Sequence, residues 1–323
     1  MRLVITIDVE GDNLWDNPSI ITTKNAHFIP RFQDLCDSYG FKPTYLVDYE
    51  MASDPFFQNF GQNLVRTGTA EIGMHLHAWN TPPPSSNEES QFHQIYITEL
   101  PEETMQEKMG FMTSLLTSVF NVRPVSHRAG RWGLDERVAR ILSRLGYLVD
   151  CSVTPGVSWC HSMGDPHGAG GPDYAAFNVG PYFLDLENVR LAGTSSILEV
   201  PVTIRPLYPR PLLDAFHALT SQSKLLARAV DRFARPYVWL RPSGQNLCDM
   251  TELVDWALSE NLPVLQLVLH SSELMPGGSP YFRHKDDIEK LCEDLDLLFS
   301  HVSARGIRGA TLAEYRQTFW RNG

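Results

Sequence analysis

The chain has 323 residues, of which 27 are basic and 38 acidic, and its formal net charge is −11. This balance argues against a nucleic-acid partner, because binding to phosphates needs clustered Lys and Arg. Hydrophobic residues make up 43% of the sequence, which is enough for a substantial core. No apolar run approaches the ~20 residues that span a bilayer.

Segments typical of strands and of helices alternate along most of the chain. Strand-like apolar runs occupy residues 3–8, 43–48, 70–77, 123–130, 148–153, 196–203 and 262–270. Helix-compatible segments occupy residues 25–39, 54–68, 102–120, 134–147, 212–234, 249–260, 283–304 and 309–319. This alternation predicts an α/β fold with a parallel sheet, either open or closed into a barrel.

Residues 154–195 interrupt this pattern, since they begin with a stretch rich in Gly and Pro and lack periodicity. Loops of this length inside a domain are usually functional or mobile. We interpret the segment as a lid or a wall of a substrate site, with an inert surface excursion as the alternative. Because there is no internal repeat and no clear linker, we expect residues 1–323 to form a single domain.

The N-terminal residues and the cysteines indicate the cellular compartment. The stretch "MRLVITIDVEGD" has too short an apolar run for a signal peptide and reaches an acid at Asp8. The five cysteines are scattered and form no C-x-x-C pair. We therefore expect reduced thiols and a cytoplasmic protein.

Two histidines lie at the end of the third predicted strand, in "EIGMHLHAWN". Side chains alternate between the two faces of a strand, so His75 and His77 should project from the same face. Two imidazoles in that arrangement can bind one metal ion. The alternative is a pair of surface histidines that flank a turn.

Other polar side chains also fall where predicted strands end. They are Asp8, Glu10, Arg128, Trp132, Asp150, His270 and Glu273. In parallel α/β folds the carboxyl ends of the strands carry the active site. The coincidence predicts a metal or catalytic site at that edge of the sheet.

Roles for some of these residues follow from their chemistry. Asp8 ends a buried strand and needs a partner there, for which Arg128 is a candidate. The carboxylate could act as a general base or bind a metal. His270 follows an apolar run and is a candidate general acid, which Asp150 could orient.

The motifs "TIDVEG", "HLHAWNTPP", "HRAGRWG" and "LHSSELMPGGSPY" follow one another in this order. Their order resembles that of the NodB-homology polysaccharide deacetylases, carbohydrate esterase family four, most closely its WalW-like lipopolysaccharide-biosynthesis branch. The resemblance implies a distorted (β/α) barrel with about seven parallel strands and a divalent metal, often zinc. It also implies a metal-dependent hydrolase that removes acetyl groups from an acetylated (amino) sugar in surface-polysaccharide metabolism.

The resemblance implies a role for each matching residue. Asp8 is similar to the catalytic base of the family, and Arg128 to the arginine that holds the base. Trp132 is similar to an aromatic residue that lines the groove. Leu269 and His270 resemble the closing motif, in which a leucine contacts the acetyl methyl group and a histidine acts as the acid.

Two departures from the family pattern concern the metal ligands. The second acid of the first motif is replaced by Val9, so Glu10 is the expected ligand, with Asp8 as the alternative. His75 matches the first histidine of the second motif, but Trp79 stands where the second is usual, so His77 is the expected replacement. Zinc fits imidazole and carboxylate ligands, as do other first-row ions.

Three functions remain open from the sequence. A long groove lined by Trp79, Trp132 and Trp159 would favour an acetylated saccharide or sugar precursor as substrate. A narrow pocket closed by residues 154–195 would favour a C–N hydrolase that acts on a small amide. A non-catalytic sugar-binding homologue that has lost the metal is the third possibility. The sequence predicts no oligomeric state.

Overall fold

The computed structural model describes residues 1–16, 20–84, 94–220, 230, 234 and 236–322. Its first strand, β1 (Arg2–Val9), has buried side chains at all but its first residue. This strand pairs in parallel with one neighbour on each side. A central parallel strand is covered on both faces, which explains its nearly continuous apolar sequence.

The main sheet is a largely parallel one. Its remaining strands are β2 (Thr44–Val47), β3 (Glu71–Leu76), β4 (Ser126–Ala129), β5 (Val149–Asp150), β6 (Tyr182–Asp185), β7 (Asn188–Ala192), β8 (Leu198–Glu199), β11 (Val264–His270) and β12 (Arg308–Gly309). They lie in the order β11-β1-β2-β3-β4-β5-β8-β6-β7, with β12 beside β1. All pairs from β11 to β8 are parallel.

The sheet curls until its two sides approach each other. The antiparallel pair β9 (Ile204–Pro206) and β10 (Tyr237–Trp239) lies at the junction. There, the Thr203 N–H donates to the Gln266 carbonyl at 3.3 Å, and the Val268 N–H donates to the Leu240 carbonyl at 3.1 Å. The predicted fold class, a distorted α/β barrel built on about seven parallel strands, is confirmed.

Helices cover the outside of the curled sheet. They are α1 (Ile29–Ser38), α2 (Tyr49–Ser53), α3 (Pro55–Thr67), α4 (Glu102–Phe120), α5 (Glu136–Arg144), α6 (Arg210–Thr220), α7 (Leu247–Ser259), α8 (Lys285–Ala304) and α9 (Leu312–Asn322). The predicted helix over residues 212–234 corresponds to α6, and most of its second half lies outside the described residues. None of the helices in the described ranges is both long and apolar enough to span a bilayer.

The sheet separates two apolar cores. The larger core lies between strands and helices and includes Leu265, Leu267 and Leu269 of β11. The smaller core includes residues such as Val4 and Leu46, from several strands of the curled sheet, and packs against α9. Because the two cores take alternate residues of the same strands, β1 and β2 are nearly continuous apolar runs in the sequence.

Residues 154–195 are more ordered than the sequence predicts. Strands β6 and β7 form a hairpin that extends the main sheet beyond β8 in antiparallel fashion. The preceding part holds an isolated bridge between Ser158 and Asp173. Strand patterns this short are not separable from loops by periodicity.

A glycine inside the curled sheet provides a test of this packing. A Cβ at Gly73 would lie 2.7 Å from both Leu46 Cδ2 and the Ser126 carbonyl oxygen. We expect Gly73→Ala to lower the free energy of unfolding by ~1–3 kcal/mol, as overpacking does. Gly110→Ala, on a helix with nothing within 4 Å of the new Cβ, should instead raise it by ~0.5–1 kcal/mol. Urea denaturation measures both, and equal stability of the two variants would contradict this packing.

Candidate active site

The carboxyl ends of four strands bring the predicted site residues together. Strands β11, β1, β3 and β4 lie within one run of five parallel neighbours. Asp8 is in register with His270, and His75 with Arg128. In-register parallel strands end at the same edge, so the side chains that leave each strand there face a common space.

Two histidines and a glutamate form a compact group in this space. The Nε2 atoms of His75 and His77 lie 3.0 Å apart. The Oε2 atom of Glu10 lies 3.2 Å from the Nε2 of His77 and 3.6 Å from that of His75. All three residues are buried. His75 lies on β3 and His77 directly follows this strand, and both side chains project to the same side because they are two residues apart.

The group fits a divalent metal ion such as zinc. Ligand atoms about 2.0–2.1 Å from a tetrahedral ion are separated by about 3.3 Å, close to the three distances observed here. The His75 Nδ1–H donates to the Arg128 carbonyl at 3.0 Å, which leaves the Nε2 lone pair for an ion. Two imidazoles and one carboxylate are ligands typical of catalytic zinc.

The electrostatic environment favours the ligand forms of these groups. Burial raises the pKa of Glu10, but the charge of His270 and the adjacent imidazoles of His75 and His77 outweigh it and hold this pKa well below its usual value. Burial lowers the pKa of His77, against the opposing effect of Glu10. Glu10 is therefore ionised and His77 is neutral, which are the states that bind metal.

Asp8 is held by a fully buried arginine. The Arg128 Nη1 donates to Asp8 Oδ1 at 2.6 Å, while Nη2 donates to Thr6 Oγ1 at 2.8 Å and Nε to the Cys151 carbonyl at 3.1 Å. Burial raises the pKa of Asp8, but the charge of Arg128, with smaller contributions from His75 and His270, brings it below its usual value. Asp8 is therefore an oriented carboxylate whose second oxygen, Oδ2, faces His270.

His270 is oriented by a second ion pair. The Arg241 Nη2 donates to His270 Nδ1 at 2.9 Å and to Glu273 Oε1 at 2.8 Å. The Nε2 atom of His270 lies 3.7 Å from Asp8 Oδ2 and 3.9 Å from Glu10 Oε1. Because Arg241 can only donate, the neutral ring carries its proton on Nε2, towards the carboxylates. Burial lowers the pKa of His270, but Glu10 and Glu273 raise it above its usual value.

Asp150 does not orient His270, which corrects that expectation. Its carboxylate bonds to His127 Nδ1 at 2.6 Å and to Ser152 Oγ at 3.1 Å. Asp150 is in register with His127, the residue before Arg128, and so it lies on the opposite face of the sheet from Arg128. The contacts to His270 come from Arg241 and Glu273 instead.

Leu269 is also placed differently from the expectation. Its side chain is fully buried in the core between the sheet and the helices and does not line the cavity. The physical reason is strand alternation, because His270 faces the site and its neighbour in β11 must face away. Leu269 is a core residue in this fold.

A cavity of about 430 Å³ opens over the ionisable groups. Aromatic residues that line it are Trp15, Trp79, Tyr96, Trp132, Trp159 and Tyr281. The Trp79 ring stacks on His77 with centroids 4.4 Å apart and an interplanar angle of 12°. The guanidinium of Arg128 lies 5.2 Å from the Trp132 ring centroid. The predicted groove residues Trp79 and Trp132 thus lie beside the ionisable groups.

The chain is strained where it presents Trp132. Arg131 and Trp132 have left-handed φ angles of 53° and 64°, which cost about 1–3 kcal/mol each outside glycine. The Arg131 Nη2 compensates by donating to Ser162 Oγ and to the Met163 carbonyl, both at 2.9 Å. Its guanidinium also lies 4.0 Å from the Tyr96 ring centroid. These contacts hold part of the 154–195 segment against the rim of the cavity, where Trp159 and Ser162 form part of its wall.

Three further residues of the site were not predicted from the sequence: Arg241, Trp15 and Tyr281. Trp15 packs edge-on to His270 at 5.5 Å, and its indole N–H donates to Ser272 Oγ at 3.2 Å. A signal for Arg241 existed, because it directly follows the short apolar run "YVWL" at residues 237–240. Trp15 and Tyr281 lie in irregular segments, where no periodicity marks a side chain's direction.

No protein-family profile matches this sequence, and no curated protein matches it. Among solved structures, a Parabacteroides distasonis protein named as a glycoside hydrolase/deacetylase has a TM-score of 0.64 and 10% identity, covering 99% of this chain and 71% of its own. The 4-alpha-glucanotransferase of Thermococcus litoralis has a TM-score of 0.50 and 11% identity, covering 98% and 38%. A Mycobacterium smegmatis structure named as a polysaccharide deacetylase has a TM-score of 0.47 and 15% identity, covering 96% and 93%. At such identities the first two matches show a shared fold alone.

The buried Glu273 generates a prediction on stability and pH. Burial raises its pKa, but Arg241 and His270 bring it down to about 2, against an ordinary value of 4.5. A depressed pKa contributes stability that is present above pH 4.5 and is lost as the pH falls towards 2. We expect Glu273→Gln to lower the free energy of unfolding by roughly 3 kcal/mol at pH 7 and by much less near pH 2.

Urea denaturation at several pH values measures this difference. Glu289→Gln is the matched control, because Glu289 pairs with Arg31 at the exposed surface and should change stability little at any pH. A Glu273→Gln deficit that stays constant down to pH 2 would show that Glu273 is not held ionised by Arg241.

Proposed function

We propose that this protein is a metal-dependent hydrolase that removes acetyl groups from an acetylated amino sugar or a sugar acetate ester. One observation carries the proposal. A three-ligand group, an arginine-held carboxylate and an oriented histidine converge in a single cavity at the carboxyl ends of the strands. The fold shared with a structure named as a glycoside hydrolase/deacetylase is compatible with it.

Glu10, His75 and His77 would hold the metal, for which zinc is the favoured ion. When bound, the ion polarises the acetyl carbonyl and makes water more acidic. The structure favours Glu10 over Asp8 as the third ligand, because Glu10 Oε2 faces both histidines while Asp8 Oδ1 is bonded to Arg128.

Asp8 takes the role of general base. Its Oδ2 accepts a proton from water as the water oxygen bonds to the acetyl carbon. Arg128 keeps the carboxylate ionised and fixes its direction through Oδ1. His270 then donates its Nε2 proton to the departing sugar nitrogen or oxygen as the bond from that atom to the acetyl carbon breaks. Acetate and the free amine or hydroxyl are the products.

Aromatic side chains support a saccharide as the substrate. Trp79 and Trp132 line the cavity next to the ionisable groups. Sugar rings carry apolar C–H faces, and flat aromatic surfaces can cover them. The cavity also adjoins a second one, which favours a saccharide over a small amide. Together with the resemblance to the lipopolysaccharide-biosynthesis branch, this leads us to propose a role in surface-polysaccharide metabolism.

The ligand set is tested by removing a histidine. We expect His75→Ala or His77→Ala to weaken zinc binding by more than about 100-fold. Loss of a residue that only orients a ligand typically weakens it by roughly 10–100-fold, and loss of a ligand should cost more. Elemental analysis should show near-stoichiometric zinc in the wild type and little in the variants. Zinc should also raise the melting temperature of the wild type but not that of the variants.

His167→Ala is the matched control, because His167 is exposed in the 154–195 segment. Its zinc content and its release of acetate from N-acetylglucosamine oligosaccharides should equal those of the wild type. A wild-type protein that neither contains zinc nor gains stability from it would favour the non-catalytic alternative.

The acid role of His270 predicts a different phenotype. We expect His270→Gln to retain zinc, because its Nε2 is not among the three ligand atoms, and to lower kcat about 10²–10⁴-fold. Acetate release and metal content measured on the same preparation separate the two effects. Unchanged turnover would exclude His270 as the acid, whereas lost zinc would make it part of the metal site.

A further inference from the structure

A row of three ionisable side chains lies buried on the face of the sheet opposite to Arg128. His127 on β4, Asp150 on β5 and Glu199 on β8 are in register across these neighbouring parallel strands. The exposed fraction of each is 0%, and none of them lines the cavity over the ionisable groups. Replacing buried ionic groups by apolar ones is often neutral or stabilising, so stability alone does not account for such a row.

The ionised carboxyl of this row is that of Asp150. Burial raises the pKa of Asp150, but His127 and, to a smaller extent, a hydrogen bond from Glu199 bring it below its usual value. Burial also raises the pKa of Glu199, and the negative charge of Asp150 adds to this effect, so the pKa lies well above its usual value. Glu199 is therefore protonated at neutral pH, while Asp150 is a carboxylate that only accepts hydrogen bonds.

The two acidic side chains fix the turn that follows β5. Asp150 Oδ1 accepts from the Ser152 N–H at 2.9 Å, and Oδ2 accepts from the Ser152 hydroxyl at 3.1 Å. An aspartate that bonds to the backbone two residues ahead forms an Asx turn, which sets the direction of the chain. Glu199 Oε1 accepts from the Val153 N–H at 3.1 Å. Residues 151–153 are therefore held in place by side chains of the row.

This turn contacts Arg128 and its neighbour at two points. The Cys151 carbonyl accepts from the Arg128 Nε at 3.1 Å. Ser152 Oγ accepts from the N–H of Ala129, the residue after Arg128, at 2.9 Å. Because a guanidinium is planar and rigid, the direction of its Nε–H also fixes that of Nη1, which donates to Asp8. The row thus reaches Asp8 through the backbone of residues 151–153 and through Arg128.

We propose that His127, Asp150 and Glu199 form a positioning network that aligns Asp8, the proposed general base, from the other face of the sheet. The inference rests on the proposed function, since it takes Asp8 as the base. Asp150 is the central residue, because it bonds to His127 and to both polar groups of Ser152. Loss of its carboxylate should release the turn, let the Arg128 guanidinium rotate and misalign Asp8 with the acetyl carbon.

The first measurement follows Arg128 directly and needs no substrate. Protein labelled with nitrogen-15 arginine should give a slowly exchanging Nε–H signal that is absent from Arg128→Lys, because this group is buried and hydrogen-bonded. In Asp150→Ala we expect the signal to shift and to exchange about tenfold faster, the scale of one lost hydrogen bond. Ser152→Ala keeps all three ionisable groups and should cause a smaller change of the same kind.

The second measurement is acetate release by the same variants. Asp150→Ala should lower kcat about 10–100-fold with little change in KM, because it misplaces a group that acts in the transition state. Zinc content should stay as in the wild type, since Asp150 lies on the opposite face of the sheet from His75. Asp150→Asn keeps one oxygen for the Ser152 N–H and should recover part of kcat.

Glu71→Ala is the matched control, because Glu71 begins β3 at the edge of the sheet away from the site. There it accepts from Ser126 Oγ at 2.5 Å and from the Ala313 N–H at 2.9 Å. Melting temperatures should show both variants folded and less stable than the wild type, whereas only Asp150→Ala should change the Arg128 signal and kcat.

Two results would overturn the network. One is an Arg128 signal that stays unchanged in both Asp150→Ala and Ser152→Ala, whatever their turnover. The other is an equal loss of kcat in Glu71→Ala at a similar loss of stability. If the Arg128 signal responds as expected but the wild type releases no acetate, the proposed function fails while the positioning of Arg128 stands.

Discussion

The site depends on one buried ion pair, between Arg128 on β4 and Asp8 on β1. Breaking such a pair leaves an uncompensated charge inside the protein, which typically costs about 3–5 kcal/mol. Arg128 also touches the rest of the site, since its carbonyl accepts from His75 and its guanidinium lies beside Trp132. The same residue therefore orients the proposed base, one metal ligand and one aromatic wall. A change at Arg128 would disturb all three at once.

Much of the fold and part of the site could be predicted from the sequence, for local reasons. Alternation along a strand places His75 and His77 on one face, and parallel pairing brings strand ends to one edge. The errors had two sources. The role given to Leu269 came from the resembled motif, although strand alternation already turns Leu269 to the leucine face of β11, away from His270. The Arg241–His270 contact joins distant segments, and no periodicity encodes it.

The two residues that depart from the resembled motifs lie close together in space. Glu10 lies one residue after Val9, the position of the second acid, and His77 lies two residues before Trp79, the position of the second histidine. Their ligand atoms meet at 3.2 Å. A donor set that fits an ion despite both departures is physical support for the proposed metal site.

The backbone junction at Leu240 links closure of the barrel to the orientation of His270. Leu240 bridges Thr203 and Val268, and the next residue, Arg241, holds the His270 ring. Leu240, which closes the barrel, and Arg241, which orients the proposed proton donor, are therefore adjacent in the chain. Loosening the junction at Leu240 would free the His270 imidazole before it disturbs Glu10, His75 and His77 at the ends of β1 and β3. Under the proposed function, damage there would leave a protein that still binds the metal ion but no longer turns over.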